Sequence, residues 1–143
     1  MIIPFFHGSK DKHPASGMAA DALFQSTFEH APIGLAVVSL SGEFKQVNPA
    51  ICEILGHTEA ELLATNFVRI THPSDIDADM GWISRLLNGE LDRYHMDKRY
   101  IRADGSTVWT RLAVSLMRNA EQQPVNFISV VEDISDVASR NVD

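Results

Sequence analysis

Between Thr107 and Arg118 the residues fall into two alternating sets. Val108, Thr110, Leu112, Val114 and Leu116 share one face; Trp109, Arg111, Ala113, Ser115 and Met117 share the other. A period of two sustained over twelve residues is that of a long β-strand with one side turned to a core. The preceding segment, 93–102, enters it through Ala103-Asp104-Gly105-Ser106, a strong hairpin signal. After a loop around 121–124, residues 125–131 form an almost wholly apolar strand. Three antiparallel strands alone leave two bare edges, so further strands must come from elsewhere in the chain.

The N-terminal half supplies them. Residues 35–40 are a short β-branched run, and Ser41-Gly42 turns it into 43–47, with Phe44 and Val47 inside. Helices separate the two strand groups. Asn48 can cap free amides and Pro49 is pre-set for a first helical position, which predicts a helix through Ile51, Ile54 and Leu55 ending at Gly56. Thr58 and Glu61 make a capping box for a second short helix. Ser74 with Asp77 opens a third, with Ile76, Met80, Ile83 and Leu87 on one face, Trp82 and Leu86 beside them, and a stop at Asn88-Gly89. A helix over 19–30, with Leu23, Phe24 and Phe28 at helical spacing, precedes the first strand. Residues 1–18 read as a mobile tail, 19–136 as one domain and 137–143 as the start of a linker. The class is α+β: an antiparallel sheet with helices gathered on one face.

Composition narrows the function. The net charge is −7, and pairs such as Lys10 with Lys12 or Lys98 with Arg99 sit among acids, so nucleic acid is not the expected partner. Cys52 is the only cysteine, which excludes an internal disulfide and a cysteine-rich metal site. The six histidines are scattered with no i,i+4 pair, and no metal site is expected. No apolar run approaches the ~20 residues that cross a bilayer. Met1 to Phe6 lacks a basic region before it, unlike a signal peptide. A cytoplasmic location without membrane insertion is the expectation.

Several landmarks in order resemble the PAS family with its C-terminal (PAC) half. These are Phe28-Glu29-His30-Ala31-Pro32-Ile33-Gly34, Val47-Asn48-Pro49-Ala50, Leu55-Gly56-His57 and His72-Pro73-Ser74-Asp75. Lys98-Arg99-Tyr100-Ile101-Arg102-Ala103-Asp104-Gly105-Ser106 with Trp109 comes next, and Glu132-Asp133-Ile134-Ser135-Asp136 closes the match. The resemblance implies a five-stranded antiparallel sheet of order 2-1-5-4-3, helices over one face enclosing a pocket, and an N-terminal flanking helix. It also implies a sensory, non-catalytic module cut from a larger signalling protein. Its output domain in cis would be a histidine kinase or a cyclic-di-GMP cyclase or phosphodiesterase, the last group being nearest. Asp133, Ile134 and Ser135 resemble the junction through which such domains pass a signal on.

The same resemblance frames the cofactors. Light-sensing members carry an Asn-Cys pair; Asn66 is followed by Phe67, so covalent flavin chemistry is excluded. Haem is disfavoured, because 77–88 contains no His and His95 is expected to face solvent. A non-covalent flavin would need a tryptophan near Trp82, whose ordinary reading is core packing. By alternation and resemblance the ligand pocket would be lined by Trp82, Ile83, Leu86, Met96, Val108, Leu112, Phe127 and Ser129, which suits a small apolar or aromatic molecule. Leu23, Phe24 and Phe28 would serve a homodimer. Two other readings compete: an interaction or dimerisation module with a filled core, and a small α+β enzyme. The enzyme would require a carboxylate on an inward strand position, and the last two strands offer none. Crowding His72, Ser74, Asp75 and Asp77 into one helix start suits capping better than a catalytic triad.

Overall fold

The computed structural model describes residues 14–135; most of the expected tail (1–13), the last residue of the expected domain (136) and the expected linker (137–143) lie outside the described residues. Helix α1 spans Pro14–His30 and stands as a unit separate from the remainder. It begins at Pro14 rather than at 19. Ser16 and Gly17 are poor helix formers, yet Pro14 is pre-set for a first turn.

The second unit begins at Ala31. Its strands are β1 (Gly34–Ser39), β2 (Phe44–Val47), β3 (Arg93–Ile101), β4 (Thr107–Arg118) and β5 (Pro124–Asp133). They form one sheet in the order β2-β1-β5-β4-β3, each pair antiparallel. Strand β5 therefore sits in the middle, paired on both sides, which explains its apolar composition. The hairpins close as expected: Gly42 and Gly105 take positive φ at the two turns, where glycine carries no steric cost.

Four helices connect β2 to β3: α2 (Pro49–Leu55), α3 (Glu59–Leu63), α4 (Phe67–Ile70) and α5 (Pro73–Leu87). Asn48 caps α2 by accepting from Ile51 N–H, and Gly56 ends it in the left-handed conformation. Thr58 and Glu61 complete the capping box of α3. The single turn α4 is an addition to the sequence reading; Asn66 caps it by accepting from Arg69 N–H. Helix α5 starts one residue before the expected Ser74. His72 is its cap, its Nδ1 accepting from Ser74 N–H.

The core lies between the helices and one face of the sheet, from Ala36, Val38 and Phe44 across Phe127 and Val131 to Leu112, Val108 and Tyr100. On α5 the buried face is Asp79, Ile83 and Leu86. Met80 and Leu87, expected on the inner face, are exposed. The helix is turned by one position relative to the apolar pattern because a carboxylate, not a methionine, points inward.

Candidate functional site

Strand β3 alternates so that Tyr94, Lys98 and Tyr100 are buried while His95 and Asp97 face out. Lys98 is thereby carried into the core, where it is fully buried. Opposite it, α5 delivers Asp79, also buried. Lys98 Nζ donates to Asp79 Oδ2 and, at 2.9 Å, to Thr71 Oγ1. Tyr94 Oη donates to the other carboxylate oxygen at 2.6 Å. The rings of Tyr100 and Phe67 flank the ammonium, with centroids 4.5 and 5.2 Å away. Burial, then the charge of Asp79, pushes the Tyr94 phenol far above its usual pKa. Burial likewise raises Tyr100, against the opposing charge of Lys98. Both phenols remain protonated and able to donate.

Desolvating two charges costs several kcal/mol per ion, and an ion pair in a core recovers this only with complete hydrogen bonding. Each carboxylate oxygen of Asp79 has its donor, and Lys98 has two acceptors and two aromatic faces. Beside this cluster lies a cavity of about 20 Å³, lined by Phe44, Phe67, Leu112, Phe127 and Ser129 together with Asp79, Tyr94, Lys98 and Tyr100.

A family model described as PAS fold matches residues 44–131. The chain belongs to the PAS family. It is 38% identical over 114 residues to the probable diguanylate cyclase DgcE of Escherichia coli (strain K12), covering 80% of this chain and 10% of that protein. It is 25% identical over 118 residues to the sensor histidine kinase TmoS of Ectopseudomonas mendocina, covering 82% of this chain and 12% of that protein. The chain thus spans about a tenth of the length of these curated relatives. Among solved structures, the PAS domain of a protein from Colwellia psychrerythraea superposes with a TM-score of 0.74 at 16% identity, over 82% of this chain and 98% of that one. The fold is that of a PAS domain, with the strand order that the resemblance implied.

Within this PAS domain the residues expected at a ligand pocket divide. Leu112, Phe127 and Ser129 line the cavity. Trp82, Ile83, Leu86, Met96 and Val108 do not. Ile83, Leu86 and Val108 are packed core. Met96 is half-buried against that core. Trp82 stacks on Tyr94, with centroids 5.9 Å apart and 12° between planes, under the Arg85 guanidinium. It braces the phenol that holds Asp79. Lys98, Asp79, Tyr94 and Tyr100 escaped the sequence reading. Parity along β3 from the inward Met96 was the signal for Lys98, and a buried lysine demands an acid nearby.

Organic ligand sites commonly run to ~300–1,000 Å³, so the cavity of about 20 Å³ does not fit a flavin ring or a haem. His95 is exposed. Cys52 lies on α2, half-buried, with burial raising its thiol pKa. No three potential metal ligands converge among the described residues.

The exit from the sheet is also built. Ile134 N–H donates to Trp109 O at 3.0 Å, and Asp133 Oδ1 accepts from Ser135 N–H at 2.9 Å. The Arg99 guanidinium stacks over the Trp109 ring at 4.8 Å. Arg99 in turn is clamped by Asp75, in the first turn of α5, through Nε (3.0 Å), Nη2 (2.8 Å) and its own backbone N–H (2.8 Å). That clamp holds the Asp75 carboxyl below the usual carboxylate range. In the separate helical unit Leu23 and Phe24 are exposed, and Phe24 stacks on Phe28 with centroids 5.7 Å apart.

Proposed function

We propose that this PAS domain is a sensory or regulatory module that takes a small ligand or a partner and passes a conformational change to an output domain in cis. One observation carries the transmission half: an unbroken run of contacts, Asp75–Arg99–Trp109–Ile134, links the first turn of the cavity-roofing helix to the end of the sheet. A shift of α5 would pull on Arg99 and reach Asp133, Ile134 and Ser135, the junction with an output domain. The similarity to the PAS parts of a diguanylate cyclase and a histidine kinase supports an enzymatic output domain of that kind, with cyclic-di-GMP signalling first. The domain itself would not catalyse. Homodimerisation through Leu23, Phe24 and Phe28 and a cytoplasmic location complete the proposal. No described helix is long and apolar enough to cross a membrane.

The small cavity favours a second reading, a dimerisation module whose core is simply filled. Native mass spectrometry and an absorption spectrum of the purified chain separate the two. Bound mass or colour supports the sensor, and a bare, colourless dimer supports the interaction module. Transmission is tested in the full-length signalling protein by Asp133→Ala and Ser135→Ala, each expected to change output while the melting temperature of the domain holds. Unchanged output in both would remove the transmission role.

A further inference from the structure

The ion pair at the cavity wall limits what the cavity can accept. Asp79 and Lys98 are the only fully buried charged side chains among the described residues, and their charges cancel. A charged guest would add a third buried charge with no counter-ion, at a cost of several kcal/mol. A wholly apolar guest would leave polar atoms without partners. Tyr100 lines the cavity and is 3% exposed. The charged groups that act on it are the Lys98 ammonium, which can only donate, and the Asp79 carboxylate, whose two oxygens are taken by Lys98 and Tyr94. Among the described residues the phenol proton therefore has no hydrogen-bond acceptor. The hydroxyl of Ser129, half-buried on the same wall, meets no partner among them either. Buried hydroxyls are normally satisfied, and an unsatisfied one costs about 1–3 kcal/mol. The apolar part of the lining includes Phe44, Leu112 and Phe127. The space of about 20 Å³ matches one water-sized group, so a hydroxyl head fits as it stands and any attached body must displace an apolar side chain.

We propose that the Asp79–Lys98 pair with Tyr100 and Ser129 forms a polar anchor for a small uncharged molecule bearing one hydroxyl head on a short apolar body. The hydroxyl both donates and accepts, matching a site that offers an ammonium, two hydroxyls and a carboxylate. This inference rests on the sensory reading above and adds the ligand class.

Three probes of different chemistry test it on the intact chain: propan-1-ol, propanoate and dissolved xenon. Binding is followed by the NMR shifts of the Leu112, Val114 and Val131 methyls. Propan-1-ol is expected to shift them saturably, and propanoate at equal concentration to leave them in place. Tyr100→Phe removes only the hydroxyl. It is expected to weaken propan-1-ol about fivefold, the loss of roughly one neutral hydrogen bond, without changing xenon binding; Ser129→Ala provides a second, independent deletion. Propanoate binding as tightly as propan-1-ol would overturn the proposal. So would a propan-1-ol affinity that neither variant alters, or entry of xenon alone, both of which spare the pocket itself. Exclusion of all three probes would instead overturn the pocket and the sensory reading with it.

Discussion

Asn48 and Lys98 are both fully buried polar side chains under the same sheet, and they are satisfied in opposite ways. Asn48 Oδ1 accepts from Leu35 N–H at 2.9 Å and Ile51 N–H at 3.0 Å, while Nδ2 donates to Ile33 O at 3.0 Å. Every partner is a backbone group in β1, the residue before it, or α2, so the side chain works as a peg between strand and helix. Lys98 is held by side chains instead, through Asp79 and Thr71, next to open space. Backbone partners cannot move without unfolding an element. Side-chain partners can change rotamer when a guest arrives. The α2–β1 end is therefore the fixed part of the domain, and the α5–β3 end is the part that can respond.

The largest test of that contrast removes the cation. Lys98→Met leaves the Asp79 carboxylate buried without its counter-charge and is expected to cost about 3–5 kcal/mol in chemical denaturation. Adding Asp79→Leu removes the orphan, and the double variant should recover most of the loss. A double variant no more stable than the single one would mean that the pair is structural like Asn48, and the contrast would collapse.

Next comes the peg. Asn48→Ala strands a buried N–H donor, a partly buried N–H donor and a partly buried carbonyl, for an expected loss of about 2–3 kcal/mol. Asn48→Asp should not rescue it, because a carboxylate keeps the two acceptor contacts but turns an acceptor toward Ile33 O. Equal stability of the Asp and wild-type proteins would show that the amide donor is dispensable.

These two sites were unequally legible in the sequence. Asn48 acts on Ile51, three residues away, and Asn-Pro before an apolar helix announces such a cap. The Gly56 stop, the Thr58–Glu61 box and both hairpin turns are equally local and equally readable. Lys98 and Asp79 are 19 residues apart on a strand and a helix, and each breaks the apolar pattern of its own element. Periodicity that scores only apolar residues passes over them, and it rotates the predicted inner face of α5 toward Met80 and Leu87. For the same reason Trp82 reads as a pocket residue, when its partner is a tyrosine engaged with the unforeseen acid. His72 as the cap of α5 escapes because Ser74, a stronger capping residue by preference, stands two positions later.

A smaller test compares the packing of two glycines. A Cβ on Gly34 would meet Ile51 Cβ at 2.9 Å and Cα at 3.1 Å, which is where β1 and α2 touch. Gly34→Ala should cost about 1–3 kcal/mol, and trimming Ile51 to Ala should not relieve it, since the clash is with atoms that alanine retains. Gly81, inside α5, meets nothing within 4 Å. Gly81→Ala should stabilise by about 0.4–1 kcal/mol through the unfolded chain and helix propensity. Opposite signs from one substitution type would mark a tight β1–α2 contact at Gly34 and an open helix surface at Gly81; the same sign at both would erase the distinction.

The smallest effect concerns how α5 is tied to β3 away from the cavity. The Asp75 carboxyl is held low chiefly by its hydrogen bonds from Arg99, so its folded pKa lies below the unfolded carboxylate value near ~4. A depressed carboxyl contributes stability that is fully present above the unfolded pKa and is lost as pH falls through the folded one. Asp75→Asn keeps an acceptor for the Arg99 backbone but carries no charge. At pH 7 it should be less stable by about 1 kcal/mol, and the gap to wild type should narrow as denaturation is repeated from pH 5 downward. A gap that stays constant with pH would place the tie between α5 and β3 in the Asp79–Lys98 pair alone. Any movement of the helix would then begin at the cavity, with Arg99 trailing rather than holding it.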